Sequence, residues 1–155
     1  MTKATTSTLD GADNPLALQD QACFALAVAS RSVVALYRPV LEPMGLTHPQ
    51  YLVMLALWEH APLSVRDLSR LLQLDPATLS PLLKRLEASG YVRRERNPHD
   101  ERALAVDLTG EGRALRRRAL RVPAAIVERL GMDLDELTEL QRRLTRVIAA
   151  ATTPS

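Results

Sequence analysis

Small hydroxyl-bearing side chains and basic side chains lie close together between Thr78 and Arg85. Thr78 and Ser80 would let a helix approach the edges of DNA bases closely, while Lys84 and Arg85 can reach phosphates or guanine. Pro81 lies among them and costs about 3 kcal/mol in an ordinary helix interior, so we expect a bend there. We predict that these five residues contact DNA.

A helix is predicted to begin after Asp75, because a short carboxylate at the N-cap followed by proline is a typical helix start. Apolar residues recur along it at intervals of three and four, which is the pattern of a buried helix face. These residues are Leu79, Leu82, Leu83 and Leu86. Upstream, Ser64 can cap a shorter helix that ends near Leu72, and two such helices with a tight turn make a helix-turn-helix.

Two strand-like segments, residues 91–95 and 103–108, follow this pair of helices. The two helices alone are equally typical of any small helical hairpin, and the strands favour a winged helix-turn-helix. In the turn between the strands, we hypothesise that Arg102 enters the minor groove while Asp100 holds its guanidinium. The predicted fold is therefore mainly α with a small β-wing.

Cys23 is the only cysteine of the chain, which excludes an intramolecular disulfide and a cysteine-based zinc site. A lone cysteine is commonly an apolar packing residue, so burial in a helix interface is one interpretation. The other interpretation is a reactive thiol, whose nucleophilic form is the thiolate.

Tyr37 follows Cys23 by two heptads, so both residues lie on one face of the first predicted helix. They are about 21 Å apart along a straight helix and cannot touch within one chain. In a two-fold dimer with these helices antiparallel, the Tyr37 hydroxyl of one protomer can approach the partner's Cys23. Such a hydrogen-bond donor would stabilise the thiolate.

Composition and charge limit the classes of protein that fit. The net charge is +2, with 18 arginines and 2 lysines. Arginine suits bidentate contacts with phosphate and guanine, although this bias also follows from GC-rich coding sequence. We find no run of about 18 uncharged apolar residues and no signal peptide, so we expect a soluble cytoplasmic protein without membrane contact.

The sequence lacks the motifs of common enzyme classes. It has no glycine-rich phosphate loop, no Ser/His/Asp constellation and no His/Asp metal cluster, and His48, His60 and His99 lie apart. We therefore expect no catalytic residue, no metal and no cofactor.

Helices are predicted on both sides of the winged unit. We predict a flexible tail over residues 1–13, one protomer over 14–151 and a short tail over 152–155. Within the protomer, the DNA-binding lobe takes about 47–109. The helices at about 14–42 and 110–151 are assigned to dimerisation, which would bury their apolar faces and set the spacing of two half-sites. Capping boxes of Thr47 with Gln50 and of Asp133 with Glu136 support two of the helices.

Two long helices are expected in these flanking regions. The first covers about 16–41 with an interruption near Pro39, and the second covers about 109–130 with a bend near Pro123. A run of basic residues from Arg113 to Arg121 lies on the second helix. We interpret it as a solvated helix face rather than a DNA contact.

Four segments carry a more specific pattern. They are residues 23–26, 36–39, 45–55 and 79–87, with the sequences CFAL, LYRP, GLTHPQYLVML and LSPLLKRLE. Together they resemble the MarR family of transcriptional regulators, and more narrowly its one-cysteine organic-hydroperoxide-resistance regulators. The resemblance runs from about residue 18 to residue 112.

This resemblance implies a homodimeric repressor that binds a palindromic double-stranded DNA operator and releases it when organic hydroperoxide oxidises the protein. It makes Cys23 the redox sensor and Tyr37 its hydrogen-bonding partner from the opposite subunit. Where such regulators often have a second tyrosine, this chain has His48, which could replace the donor or cap its helix. The chain lacks a resolving cysteine, so a sulfenic acid would be resolved by a small thiol, an intermolecular partner or overoxidation.

Two other functions remain open. One is a MarR-type repressor that senses a small aromatic ligand, with Cys23 as an inert packing residue. The other is a thiol peroxidase that uses Cys23 catalytically, but the chain has no CxxC motif and no second cysteine.

Overall fold

The computed structural model describes residues 14–97 and 100–154, and it describes no side chain within 97–103. The described residues form seven helices: α1 Ala22–Leu41, α2 His48–His60, α3 Val65–Leu72, α4 Pro76–Ala88, α5 Gly110–Ala119, α6 Val122–Leu130 and α7 Leu134–Thr152. They also form three strands: β1 Leu63–Ser64, β2 Val92–Asn97 and β3 Asp100–Leu108. The predicted fold class, mainly helical with a small β-wing, is confirmed.

The chain divides into two compact units, Met1–Ala35 and Leu36–Ser155, and the boundary falls inside α1. The second unit contains the helix-turn-helix and the sheet. The predicted division into tails, DNA-binding lobe and dimerisation helices stays a prediction.

The sheet has β3 at its centre, with β1 and β2 on either side. All pairing is antiparallel, from Val92 opposite Leu108 to Arg96 opposite Leu104, and the register shifts between Arg96 and Asn97. The two residues of β1 pair with β3 just before α3 begins. The sheet thereby joins the start of the helix-turn-helix to the wing.

The core of the second unit is built from leucine-rich helix faces. Leu79, Leu83 and Leu86 of α4 are fully buried and Leu82 is 8% exposed, which confirms the predicted leucine face. They belong to one cluster with buried residues of α2, α3 and β3, including Met54, Leu57, Leu68 and Val106. The opposite face of α4 is thereby directed away from the core.

Helix α5 begins with a close backbone approach. A Cβ atom at Gly112 would lie 2.0 Å from the carbonyl oxygen of Tyr91, so only glycine fits there. The carbonyl of Gly112 accepts a hydrogen bond of 2.9 Å from Nε1 of Trp58. These contacts fix the first turn of α5 against α2 and the start of the wing.

Two of the long helices differ from the sequence prediction. α1 begins at Ala22, after a 3-10 turn over Leu18–Asp20, and not near residue 16. The predicted helix over 109–130 is two helices, with Pro123 in the first turn of α6. Proline has no N–H to continue the preceding helix and disfavours helical backbone in the residue before it, so a break is favoured there. By contrast, α1 continues through Pro39 to Leu41, so the predicted interruption there is wrong, and α4 continues through Pro81 to Ala88.

The terminal helices remain largely exposed in the protomer. Every residue of α7 is exposed or only partly buried, and its exposed apolar residues include Leu134, Leu140, Val147 and Ile148. In the first unit, α1 exposes Phe24, Val28 and Val34. The helical stretch Ala22–Met44 is long and apolar enough, by length and composition alone, to be a candidate membrane span, which the sequence analysis did not expect.

Candidate functional site

The N-terminus of α4 is fixed by Asp75. Its carboxylate accepts hydrogen bonds from the backbone N–H of Thr78 at 2.8 Å and from the Thr78 hydroxyl at 3.1 Å. These hydrogen bonds lower the pKa of Asp75, so the cap is ionised near neutral pH. A negative charge at this position also matches the positive end of the helix dipole.

The outward face of α4 carries the predicted DNA-contacting residues. Thr78, Pro81, Lys84 and Arg85 are exposed, and Ser80 is partly buried. They share this face because the leucine face holds the opposite side of the helix in the core. The face is therefore small near its start and basic towards its end, as a helix that enters a DNA groove requires.

The turn between α3 and α4 is fixed by local hydrogen bonds. The Ser64 hydroxyl accepts from the backbone N–H of Asp67 at 3.0 Å and begins α3. Gln73 adopts a left-handed conformation with φ of 52°, and the Ser69 hydroxyl donates to the carbonyl of Leu74. The angle between the two helices is thus set by the turn itself.

Asp100 and Arg102 lie in β3, and their side chains fall outside the part of the chain that the structure describes. His99 lies outside the described residues altogether. The predicted contact between Asp100 and Arg102 therefore stays a prediction. The backbone nevertheless places both residues in the strand that follows the wing turn, beside β2.

An ion pair that the sequence analysis missed connects α4 to the wing. Nε of Arg94, in β2, lies 3.1 Å from Oε2 of Glu87, in the last turn of α4, and both side chains are partly buried, at 22% and 35% exposed. A second strand residue, Arg93, pairs with Glu95 at 2.7 Å and with Asp107 at 3.5 Å. The sequence did contain a signal for the pair of Glu87 and Arg94, because these opposite charges lie on either side of Gly90.

Cys23 lies in the first turn of α1 and is exposed. The protomer therefore does not bury it as an apolar packing residue. An exposed thiol is accessible to an oxidant in solution, which is one of the two requirements for a redox sensor. The other requirement is a group that stabilises its thiolate.

Tyr37 and His48 are in contact in the second unit. Their ring centroids are 4.7 Å apart, and the ring of Tyr51 lies 5.9 Å from that of Tyr37. Trp58 extends the cluster along α2, with its ring 6.4 Å from that of Tyr51. The structure thus brings together the two residues that the sequence analysis assigned to sensor support.

The protonation states of this cluster follow from its burial. Burial raises the pKa of Tyr37, which keeps the phenol protonated and able to donate a hydrogen bond. Burial lowers the pKa of His48, so the imidazole is neutral near neutral pH. The side chain of His48 is not the helix cap, because Thr47 and Gln50 form the predicted capping box. His48 is therefore free to act as a neutral donor or acceptor.

An open cavity of about 320 Å³ adjoins this cluster. Tyr51, Leu55 and Trp58 of α2 line one side, and Leu120 and Pro123 line the other. Glu59 and Arg116 add one charge of each sign to its lining. The cavity is thus mainly apolar and aromatic, with two polar groups that could orient a ligand.

Comparison with known proteins places these features in a family context. A model of the MarR family matches residues 46–104. An organic hydroperoxide resistance transcriptional regulator from Bacillus subtilis is 40% identical over 123 residues, which cover 77% of this chain and 84% of that protein. The HTH-type transcriptional regulator TtmR from Methylorubrum extorquens is 47% identical over 126 residues, covering 81% of this chain and 65% of the relative.

Among solved structures, reduced AbfR bound to DNA is similar with a TM-score of 0.71 and 35% sequence identity. The match covers 88% of this chain and 95% of that chain. AbfR is a protein of Staphylococcus epidermidis. The winged-helix architecture is therefore shared with a protein that has been observed on DNA.

Proposed function

Because this chain belongs to the MarR family of transcriptional regulators, we propose that it is a redox-sensing repressor that releases its operator when organic hydroperoxide oxidises Cys23. The observation that carries this proposal is the contact of Tyr37 with His48, at 4.7 Å between ring centroids. Two neutral polar groups on one protomer form a place where a thiolate from a second protomer can accept hydrogen bonds. The exposed position of Cys23 supplies that thiol.

DNA binding is assigned to α4 and the wing. We place the outward face of α4 in the major groove, with Thr78 and Ser80 near base edges and Lys84 and Arg85 near phosphates or guanine. Pro81 lies between them and shapes the contact surface. We assign Arg102 to the minor groove, held by Asp100, in keeping with a winged helix-turn-helix on double-stranded DNA.

We propose that the protein is a homodimer on a palindromic operator. Exposed apolar residues on α7, and separately on α1, supply the surface that a second copy would bury. This also explains the apolar character of α1 without a membrane. The relatives are transcriptional regulators, so we place the protein in the cytoplasm and do not regard it as an enzyme.

The first chemical step at Cys23 needs only its thiolate and the hydroperoxide. The thiolate sulfur attacks the outer oxygen of the hydroperoxide, the O–O bond breaks, and the leaving alkoxide takes a proton to become the alcohol. The cysteine is then a sulfenic acid. Because the chain has no second cysteine, a small thiol condenses with it to a mixed disulfide and releases water. The larger, more polar group would shift packed helices and separate the two recognition helices from their half-sites.

A gel mobility shift with operator DNA tests the sensor. Wild type should release DNA on addition of cumene hydroperoxide, and Cys23→Ser should bind DNA but not respond. Tyr37→Phe should bind DNA and respond more slowly, because the thiolate loses a donor. The sensor proposal is wrong if Cys23→Ser dissociates as readily as wild type.

A second candidate function is favoured by the aromatic cavity next to Tyr51 and Trp58. A small aromatic ligand bound there would make the protein a ligand-responsive repressor, with Cys23 inert. The two functions separate in the Cys23→Ser variant, which would still release DNA with such a ligand and would not do so with hydroperoxide.

A further inference from the structure

The first turn of α4 offers fewer hydrogen-bond donors than the start of a helix usually does. The first N–H groups of a helix normally have no partner within the helix, and they attract anions such as phosphate. Here Pro76 occupies the first helical position and has no N–H. The N–H groups of Thr78, at 2.8 Å, and of Ala77 interact with the carboxylate of Asp75. The backbone of this turn is therefore poorly suited to hold a DNA phosphate.

The hydroxyl proton of Thr78 is also used within the protomer. The Thr78 hydroxyl donates to Oδ2 of Asp75, with the two oxygens 3.1 Å apart. The hydroxyl must be the donor, because an ionised carboxylate only accepts hydrogen bonds. A hydroxyl group has one proton and two lone pairs. Thr78 therefore presents only lone pairs and its methyl group to a molecule that approaches from outside.

Asp75 and Thr78 together form a group of acceptor atoms, which we call the acceptor pair. Both residues are exposed. Each carboxylate oxygen of Asp75 uses one lone pair on Thr78 and keeps another. In the part of the chain that the structure describes, Asp75 forms no ion pair that would neutralise it. Lys84 and Arg85, further along α4, have only donors, so the outward surface of this helix changes from acceptors to donors along its length.

The four bases of DNA differ in what they present to such a pair in the major groove. Guanine presents the acceptors N7 and O6, and thymine presents the acceptor O4, so their lone pairs would face those of the acceptor pair. Adenine presents its N6 amino group beside the acceptor N7. Cytosine presents only the donor of its N4 amino group, which is the group that Asp and Glu side chains contact in DNA. Cytosine is therefore the base that matches the acceptor pair without opposing lone pairs.

We propose that Asp75 and Thr78 select a cytosine in each half-site of the operator by accepting the hydrogen bond of its N4 amino group. The proposal rests on the proposed function, because it takes α4 to be the helix that enters the major groove. It adds the identity of one base to that function. Asp75 is then a specificity-determining residue as well as the N-cap of α4.

Selection from a pool of randomised DNA duplexes tests the proposal, with the wild-type protein under reducing conditions. We expect a motif with one cytosine per half-site at which a change to guanine weakens binding by about tenfold or more. Asn caps helices as well as Asp does, so Asp75→Asn should keep the start of α4, which thermal unfolding checks. Its amide can donate to the Thr78 hydroxyl and free the hydroxyl proton. The variant should therefore prefer guanine or thymine at this position and keep the rest of the motif.

Two further variants sharpen the test. Thr78→Val keeps the branched shape without the hydroxyl, so it should weaken the preference for cytosine without reversing it, because the carboxylate remains. Asp67→Asn removes a half-exposed carboxylate from the neighbouring helix α3 and should change no base preference.

The possible failures are distinguishable. A motif that both Asp75→Asn and Thr78→Val enrich unchanged would make Asp75 a helix cap only, and would overturn this inference while leaving operator binding intact. Adenine in place of cytosine in the wild-type motif, lost in Asp75→Asn, would overturn the choice of base. If the wild-type protein enriched no motif, the proposed operator binding would be wrong and this inference with it.

Discussion

The helix-turn-helix region and the terminal helix α7 differ in how much of their apolar surface a single chain buries. In α4, four leucines are buried and the N-cap, the turn and the ion pair of Glu87 with Arg94 hold the helix in place. In α7, a capping box begins the helix equally well, but its apolar residues stay largely exposed. The proposed DNA-reading surface is thus positioned by contacts within one protomer, whereas α7 exposes the apolar residues that we propose a second copy to bury.

The largest effect is expected when a charge is placed on the apolar face of α7. Val147→Asp would bury an unpaired carboxylate in the proposed dimer contact, so we expect the dimer dissociation constant to rise by at least about a hundredfold. Analytical ultracentrifugation measures this change. Ala149→Asp adds the same charge on the opposite side of the helix and should leave the dimer intact. Unchanged dimerisation of Val147→Asp would remove α7 from the contact.

The contribution of burial within the protomer to stability is tested at the leucine face of α4. Leu83 is fully buried, so Leu83→Ala should lower the free energy of unfolding by about 2–5 kcal/mol. Leu71 of α3 is 50% exposed, and Leu71→Ala should change it by less than about 1 kcal/mol. Urea denaturation followed by circular dichroism measures both. Equal losses would show that burial in the protomer does not distinguish these leucines.

A smaller effect is expected at the start of α2. Thr47→Ala removes the hydroxyl that accepts from the N–H of Gln50, at a cost of about 1 kcal/mol. Thr47→Ser keeps the hydroxyl and should cost much less. Thermal unfolding of the two variants side by side measures the difference. If both variants lost the same stability, the methyl group and not the cap would matter.

The smallest effect concerns pH and the cluster around His48. Burial lowers its folded pKa, so the unfolded chain binds the proton more readily. The stability that His48 contributes is therefore present above about pH 6.5 and is lost as the pH falls towards the lowered folded pKa. Unfolding between pH 7 and pH 5 should depend less on pH in His48→Gln than in wild type. An unchanged pH dependence in His48→Gln would contradict this expectation.

The sequence predicted most of the local features, which depend on residues close together in the chain. The caps at Thr47, Asp75 and Asp133 and the leucine face of α4 follow from spacings of three and four residues, and the structure confirms them. The DNA-contacting residues and the sensor residues stay predictions at the level of function. The structure adds that Thr78, Ser80, Pro81, Lys84 and Arg85 share one face of α4 and that Tyr37 contacts His48.

The features that escaped sequence analysis depend on contacts distant in the chain. β1 has only two residues and exists because it pairs with Val106 and Ala105 of β3. The contact of Glu87 with Arg94 needs the wing to fold back on α4. The sequence predicts a bend near Pro123, whereas the structure has two separate helices, α5 and α6. A proline in a helical pattern predicts that the helix is disturbed but not by how much.

The position of Trp58 gives the protein an internal optical probe. It is the only tryptophan in the chain, its indole N–H is bonded to the first turn of α5, and its ring borders both the tyrosine cluster and the aromatic cavity. Indole emission depends on the polarity and hydrogen bonding of its surroundings. A change in the fluorescence of the unlabelled protein would therefore report movement of α5 against α2, in real time and at a single known place.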